Sequence, residues 1–80
     1  MRLPRDLAGA ELIKRLARLG YVSTRQSGSH VRLTSTSPSE HHITIPLHDP
    51  LRVGTLAAIL SAVAIQRGLT RDELIYQLFS

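Results

Sequence analysis

Apolar and polar residues alternate strictly in Ser29-His30-Val31-Arg32-Leu33-Thr34, and they do so again in His41-His42-Ile43-Thr44-Ile45-Pro46. A period of two is the mark of a strand that lies on a core with one face and on water with the other. Val31, Leu33, Ile43 and Ile45 are then the inward residues, and His30, Arg32, His42 and Thr44 the outward ones. A sheet with one apolar face needs a second layer to cover it.

Two other stretches supply that layer. Residues 7–19 carry Leu12, Ile13, Leu16, Ala17 and Leu19 at spacings that fit one helical face, with Glu11, Lys14, Arg15 and Arg18 on a solvated one. Asp6 is the expected amino-terminal cap, and Gly20 the left-handed stop. The most apolar stretch, residues 56–65, predicts a helix lying across the sheet, capped by Gly54 or Thr55 and presenting free backbone amides there.

The β-prone run Tyr21-Val22-Ser23-Thr24-Arg25 should join the strand at 29–34 through Gln26-Ser27-Gly28, where Gly28 can take the positive φ that a tight turn demands. Residues 35–40 read as an exposed connection, and Pro46 stops the third strand. Thr70-Arg71-Asp72-Glu73 has the spacing of a capping box before Leu74, Ile75, Leu78 and Phe79, so a short terminal helix should pack back onto the body. The expected fold is α+β, a two-layer sandwich of order α-β-β-β-α with an extra C-terminal helix, both main helices on one face. That geometry matches the double-stranded-RNA-binding fold. With 80 residues the chain makes one domain, its core at 7–65 and a helical extension at 67–80.

Charge narrows the partner. Residues 1–36 hold seven basic residues (Arg2, Arg5, Lys14, Arg15, Arg18, Arg25, Arg32) against Asp6 and Glu11, while the remainder is −1 of the total +4. Nine of the ten basic residues are arginine, which suits bidentate contact with phosphate. A polyanion is the natural partner. Only Tyr21, Tyr76 and Phe79 are aromatic, so base stacking is not the main binding device. The chain has no cysteine, no apolar run of membrane length and no signal-peptide core in residues 1–6, and a cytoplasmic location is expected. Four histidines (His30, His41, His42, His48) fall within nineteen positions, but a metal site is not expected. His41 and His42 are neighbours on a strand and point to opposite faces, and no cysteine or spaced carboxylate completes a ligand set. No cofactor is implied.

Chemistry concentrates in Arg25-Gln26-Ser27-Gly28-Ser29-His30. An imidazole on a wet face exchanges protons near neutral pH, and the guanidinium of Arg32 two residues on is placed to bind phosphate. Together they point to chemistry on a nucleic-acid backbone.

Three blocks, Arg25-Gln26-Ser27-Gly28-Ser29-His30, Pro46-Leu47-His48, and Gly54-Thr55-Leu56 followed by Ile59-Leu60, give the chain a close resemblance to the HicA family of toxins, over about residues 7–65. The resemblance implies a metal-independent endoribonuclease acting on mRNA, with His30 as catalytic residue and a HicB-like antitoxin as partner. Arg25, Gln26, Gly28, Ser29, Arg32, Gly54 and Thr55 are the candidates for RNA binding or for shaping the site. His48 is either a second proton carrier or the source of a loop-fixing hydrogen bond. The alternative is a non-catalytic RNA-binding module using the same basic face. Two features depart from the family pattern: Ala8 stands where a serine cap is common, and the tail from Arg67 to Ser80 is longer.

Overall fold

The two alternating stretches form the inner part of a three-stranded antiparallel sheet, in the order β1 (Val22–Ser27), β2 (His30–Ser35) and β3 (His41–Pro46). The computed structural model describes residues 3–80, so Arg2, one of the basic residues counted above, lies outside the described residues. Val31, Leu33, Ile43 and Ile45 are all buried, as the alternation requires, and Ser35 joins them on the inner face. β1 behaves differently: all six of its residues are exposed, because the helices cover β2 and β3 but leave this edge strand open.

The first helix, α1 (Gly9–Leu16), begins later than the expected start at residue 7, and Asp6 does not cap it. Ala8 holds the cap position, with no side-chain hydrogen bond. Packing sets this start: the N–H of Gly9 donates to the carbonyl of His48 at 2.9 Å, and a Cβ at Gly9 would overlap the carbonyl oxygen of Pro46. Only glycine lets the helix start this close to the end of β3. Leu12 and Leu16 are fully buried, and a 3₁₀ turn at Ala17–Leu19 leads to Gly20 at φ 88°, the left-handed stop that was expected.

The second helix, α2 (Val53–Arg67), starts at Val53, so Gly54 and Thr55 lie inside its first turn and neither caps it. It buries Leu56, Ile59, Leu60, Val63 and Ala64 against the sheet and the other helices. Burying a large aliphatic side chain contributes about 1.5–3 kcal/mol, so this one helix supplies much of the cohesion of a small core.

The capping box of α3 (Arg71–Phe79) is formed in full: Thr70 N–H donates to Glu73 Oε1 at 2.8 Å, and Glu73 N–H to Thr70 Oγ1 at 3.1 Å. Hydrogen bonds from the backbone N–H and then the side chain of Thr70 hold the Glu73 carboxyl below its usual pKa. Leu74, Ile75 and Leu78 are buried in the same core as the rest of the chain, so the C-terminal extension is part of that core.

Arg18 is exposed and Arg15 half-buried on the expected solvated face, but both carry bonds to the far end of the chain. Both donate to the carbonyl of Leu78 at 3.2 Å, and Arg18 also reaches the carbonyl of Ser80 at 3.4 Å. The carbonyls of a helix's last turn have no partner within the helix, and cations there also complement its dipole. Arg15 is further held by Glu11 at 3.0 Å and by the ring of Phe79, 5.4 Å from its guanidinium. Among the described residues, no helix is long and apolar enough to cross a membrane.

Candidate active site

The hairpin between β1 and β2 closes with Gly28 and Ser29 as its two loop residues, since Ser27 pairs with His30. The turn is thus shorter than expected and ends one residue later, and His30 is the first residue of its strand, not the second. Gly28 sits at φ 57° and Ser29 does not share the left-handed region, the pattern of a type II′ turn with glycine in the first central position. Gln26 steadies this turn by donating from Nε2 to the carbonyl of Gly28 at 3.1 Å. It pairs with inward-facing Val31, so it shapes the loop and is not part of the outer face.

A β-bulge decides where Arg25 points. Ser23 pairs with Leu33, but Arg25 pairs with Arg32, so the strand carries one extra residue, Thr24, at that step. Without it the alternation would turn Arg25 toward the side of the helices; with it Arg25 stands beside Arg32 on the outer face. Thr24 is held in place by hydrogen bonds to the carbonyl of Arg32 (3.3 Å) and to Thr34 Oγ1 (2.9 Å). Sequence periodicity missed this, because a bulge leaves no trace in an edge strand that is polar throughout after Val22.

The outer face is therefore ordered in rows across the strands. The first row is Ser27, His30 and Pro46; the second is Arg25, Arg32 and Thr44; the third holds Thr34 and His42. His30 is exposed, and among the described residues neither ring nitrogen has a protein partner. Arg25 and Arg32 are likewise unpaired, in contrast to Arg15, Arg18 and Arg67, which all bond backbone carbonyls. Neighbouring positions on one sheet face lie about 5–8 Å apart, which is the span of a phosphodiester and its flanking sugar oxygens. One unbonded imidazole and two free guanidiniums thus face the same open surface.

The third row is closed off. His42 Nδ1 meets Thr34 Oγ1 at 2.8 Å and its Nε2 meets Glu40 Oε2 at 3.1 Å, so Thr24, Thr34, His42 and Glu40 form one hydrogen-bonded line across the face. His41 points the other way, as the alternation requires, and its Nδ1 meets the hydroxyl of Tyr21 at 2.7 Å. Burial raises the pKa of that phenol, although the nearby Arg67 guanidinium pulls it down.

The remaining candidates lie off this face. Leu47 N–H donates to the carbonyl of Ser29 at 2.6 Å, which ties the turn before His30 to the loop after β3. His48 is exposed in that loop, and what fixes the loop is its backbone carbonyl, through Gly9 N–H, and not its imidazole. Gly54 and Thr55 sit in the first turn of α2, in the helical layer on the other side of the sheet from the His30 face.

A family model described as HicA toxin of bacterial toxin-antitoxin matches residues 9–65, a span that runs from the start of α1 through most of α2. No curated protein and no solved structure matches the chain.

Proposed function

The chain belongs to the HicA toxins of bacterial toxin–antitoxin systems, whose partners are HicB-type antitoxins, and we propose that it acts as a metal-independent endoribonuclease that cleaves messenger RNA with His30. One observation carries this reading. Among the described residues, His30 is the one imidazole on the outer face with both nitrogens free, and it stands one row from two unpaired guanidiniums.

RNA brings its own nucleophile. The 2′-oxygen attacks the adjacent phosphorus as its proton leaves, the bond from phosphorus to the 5′-oxygen breaks, and that oxygen takes up a proton. The products are a 2′,3′-cyclic phosphate and a 5′-hydroxyl end. His30 moves a proton in this exchange, a service worth roughly 10²–10⁴ in rate. Arg25 and Arg32 hold the phosphate and stabilise the extra negative charge that builds up on its oxygens in the transition state. The phosphate contacts are indifferent to base identity, so binding should weaken steeply as salt rises.

The test is cleavage of a long RNA in the presence of a chelator, with product ends identified. The expected result is cyclic phosphate ends from wild type and none from an RNA whose 2′-hydroxyls are replaced by hydrogen. Binding without cleavage by the wild-type chain would overturn the proposal in favour of a non-catalytic RNA-binding module.

A further inference from the structure

We propose that a cleft in the helical layer, separate from the His30 face, is a docking site for an acidic segment of the HicB-type antitoxin that carries at least one aliphatic side chain. The proposal rests on the family membership of the chain and not on the assignment of His30. The cleft encloses about 610 Å³ between the chain leading into α1, the loop before α2, and the start of α3. Arg5, Arg52 and Arg71 stand around it, and its apolar lining includes Leu51, Val53 and Leu56.

Three features indicate the occupant. First, none of these three arginines has a protein partner among the described residues, whereas Arg15, Arg18 and Arg67 are all tied to backbone carbonyls. Three guanidiniums against the one carboxylate of Asp6 leave the lining positively charged, so a carboxylate-rich ligand is complementary to it. Second, Val53 is 63% exposed at the lining, an apolar side chain left in water beside those charges. A polyanion alone would leave it wet; a peptide bearing an aliphatic residue between carboxylates would cover it.

Third, the cleft stands apart from the surface assigned to RNA. It opens from the helical layer, not from the sheet face that carries His30, Arg25 and Arg32. An antitoxin anchored here grips the toxin through residues that take no part in handling RNA. Weakening the anchor should therefore weaken the antitoxin's hold without altering the free toxin.

The experiment compares wild type, the double variant Arg52→Glu/Arg71→Glu, and Val53→Asp. All three are measured for affinity to the HicB-type antitoxin by calorimetry, for RNA cleavage without antitoxin, and by thermal melt. Reversing two rim charges should weaken antitoxin binding by about tenfold or more, with cleavage and melting close to wild type. Val53→Asp tests the apolar half: an acidic residue in the first turn of a helix is compatible with folding, so a loss of affinity there reports docking.

Antitoxin affinity within about twofold of wild type in both variants would overturn the proposal. So would weakened RNA cleavage with unchanged antitoxin affinity and melting, which would make the cleft part of the RNA path. If the wild-type chain fails to cleave RNA, the assignment of His30 falls, while the affinity comparison still decides the cleft.

Discussion

The two ends of the open sheet face carry histidines of opposite character. At the end where β3 begins, His42 is bonded through both nitrogens, to Thr34 and to Glu40, while His41 beneath it meets Tyr21. At the end where β2 begins, His30 has Ser27 and Pro46 as its cross-strand neighbours, and its imidazole bonds to the side chain of neither. A ring with both nitrogens engaged must break a hydrogen bond before it can take or give a proton to a ligand; a free ring need not. Residue type and strand face are the same for His30 and His42, so local bonding is what distinguishes the two rings.

The sharpest way to break this comparison is to remove each ring in turn. His30→Ala should lower RNA cleavage by at least about 10²-fold, with stability changed by no more than about 0.5 kcal/mol because an exposed side chain leaves no cavity. His42→Ala should do the reverse, keeping cleavage near wild type while losing hydrogen bonds worth about 0.5–1.5 kcal/mol each. His48→Ala serves as control and should change neither, since the backbone of that residue holds the loop. Chelator-resistant cleavage and a urea titration, run on the same preparations, separate the outcomes. Full activity in a folded His30→Ala protein, or its loss in His42→Ala, would erase the distinction between the two ends.

A smaller effect sharpens the same contrast from beneath the His30 end. Gly9→Ala pushes a methyl group into the carbonyl of Pro46, and overpacking of this kind costs about 1–3 kcal/mol. The strain falls on the loop that bonds Ser29 through Leu47, so cleavage should drop along with the melting temperature. An alanine variant as stable and active as wild type would show that the close approach of α1 to β3 does not help position the turn before His30.

How much of this was legible beforehand depends on range. Strand faces, the glycine stop at Gly20, and the capping box of Thr70 and Glu73 rest on neighbours within a few residues, and each can be read from spacing. The start of α1 rests on Gly9 meeting Pro46 and His48, about forty residues away in the chain, and local capping signals pointed instead to Asp6. The roles of Arg15 and Arg18 were hidden for the same reason, since their acceptors lie at the far end of the sequence. Arg25 is the case closest to the site. Its residue type marked it as a candidate, but only the extra residue at Thr24 places it on the face with His30.

The smallest expected effect concerns the bonded end. Tyr21→Phe keeps the ring in the core but removes the hydroxyl that meets His41 at 2.7 Å, at a cost of about 1 kcal/mol, with cleavage unaffected because this bond lies beneath the sheet, away from the His30 face. The variant should also change the response to alkali. Burial raises the pKa of Tyr21 in the folded protein above the ordinary 10.0, against the opposing pull of Arg67. Where the folded state keeps a proton that the unfolded chain has released, stability falls as pH rises. The contribution is therefore complete below pH 10.0 and is lost as pH climbs from there through the higher folded value. Wild type should lose stability more steeply than Tyr21→Phe over that alkaline range in urea titrations. Parallel curves for the two proteins would mean that the phenol is not held neutral by its burial between Arg67 and His41.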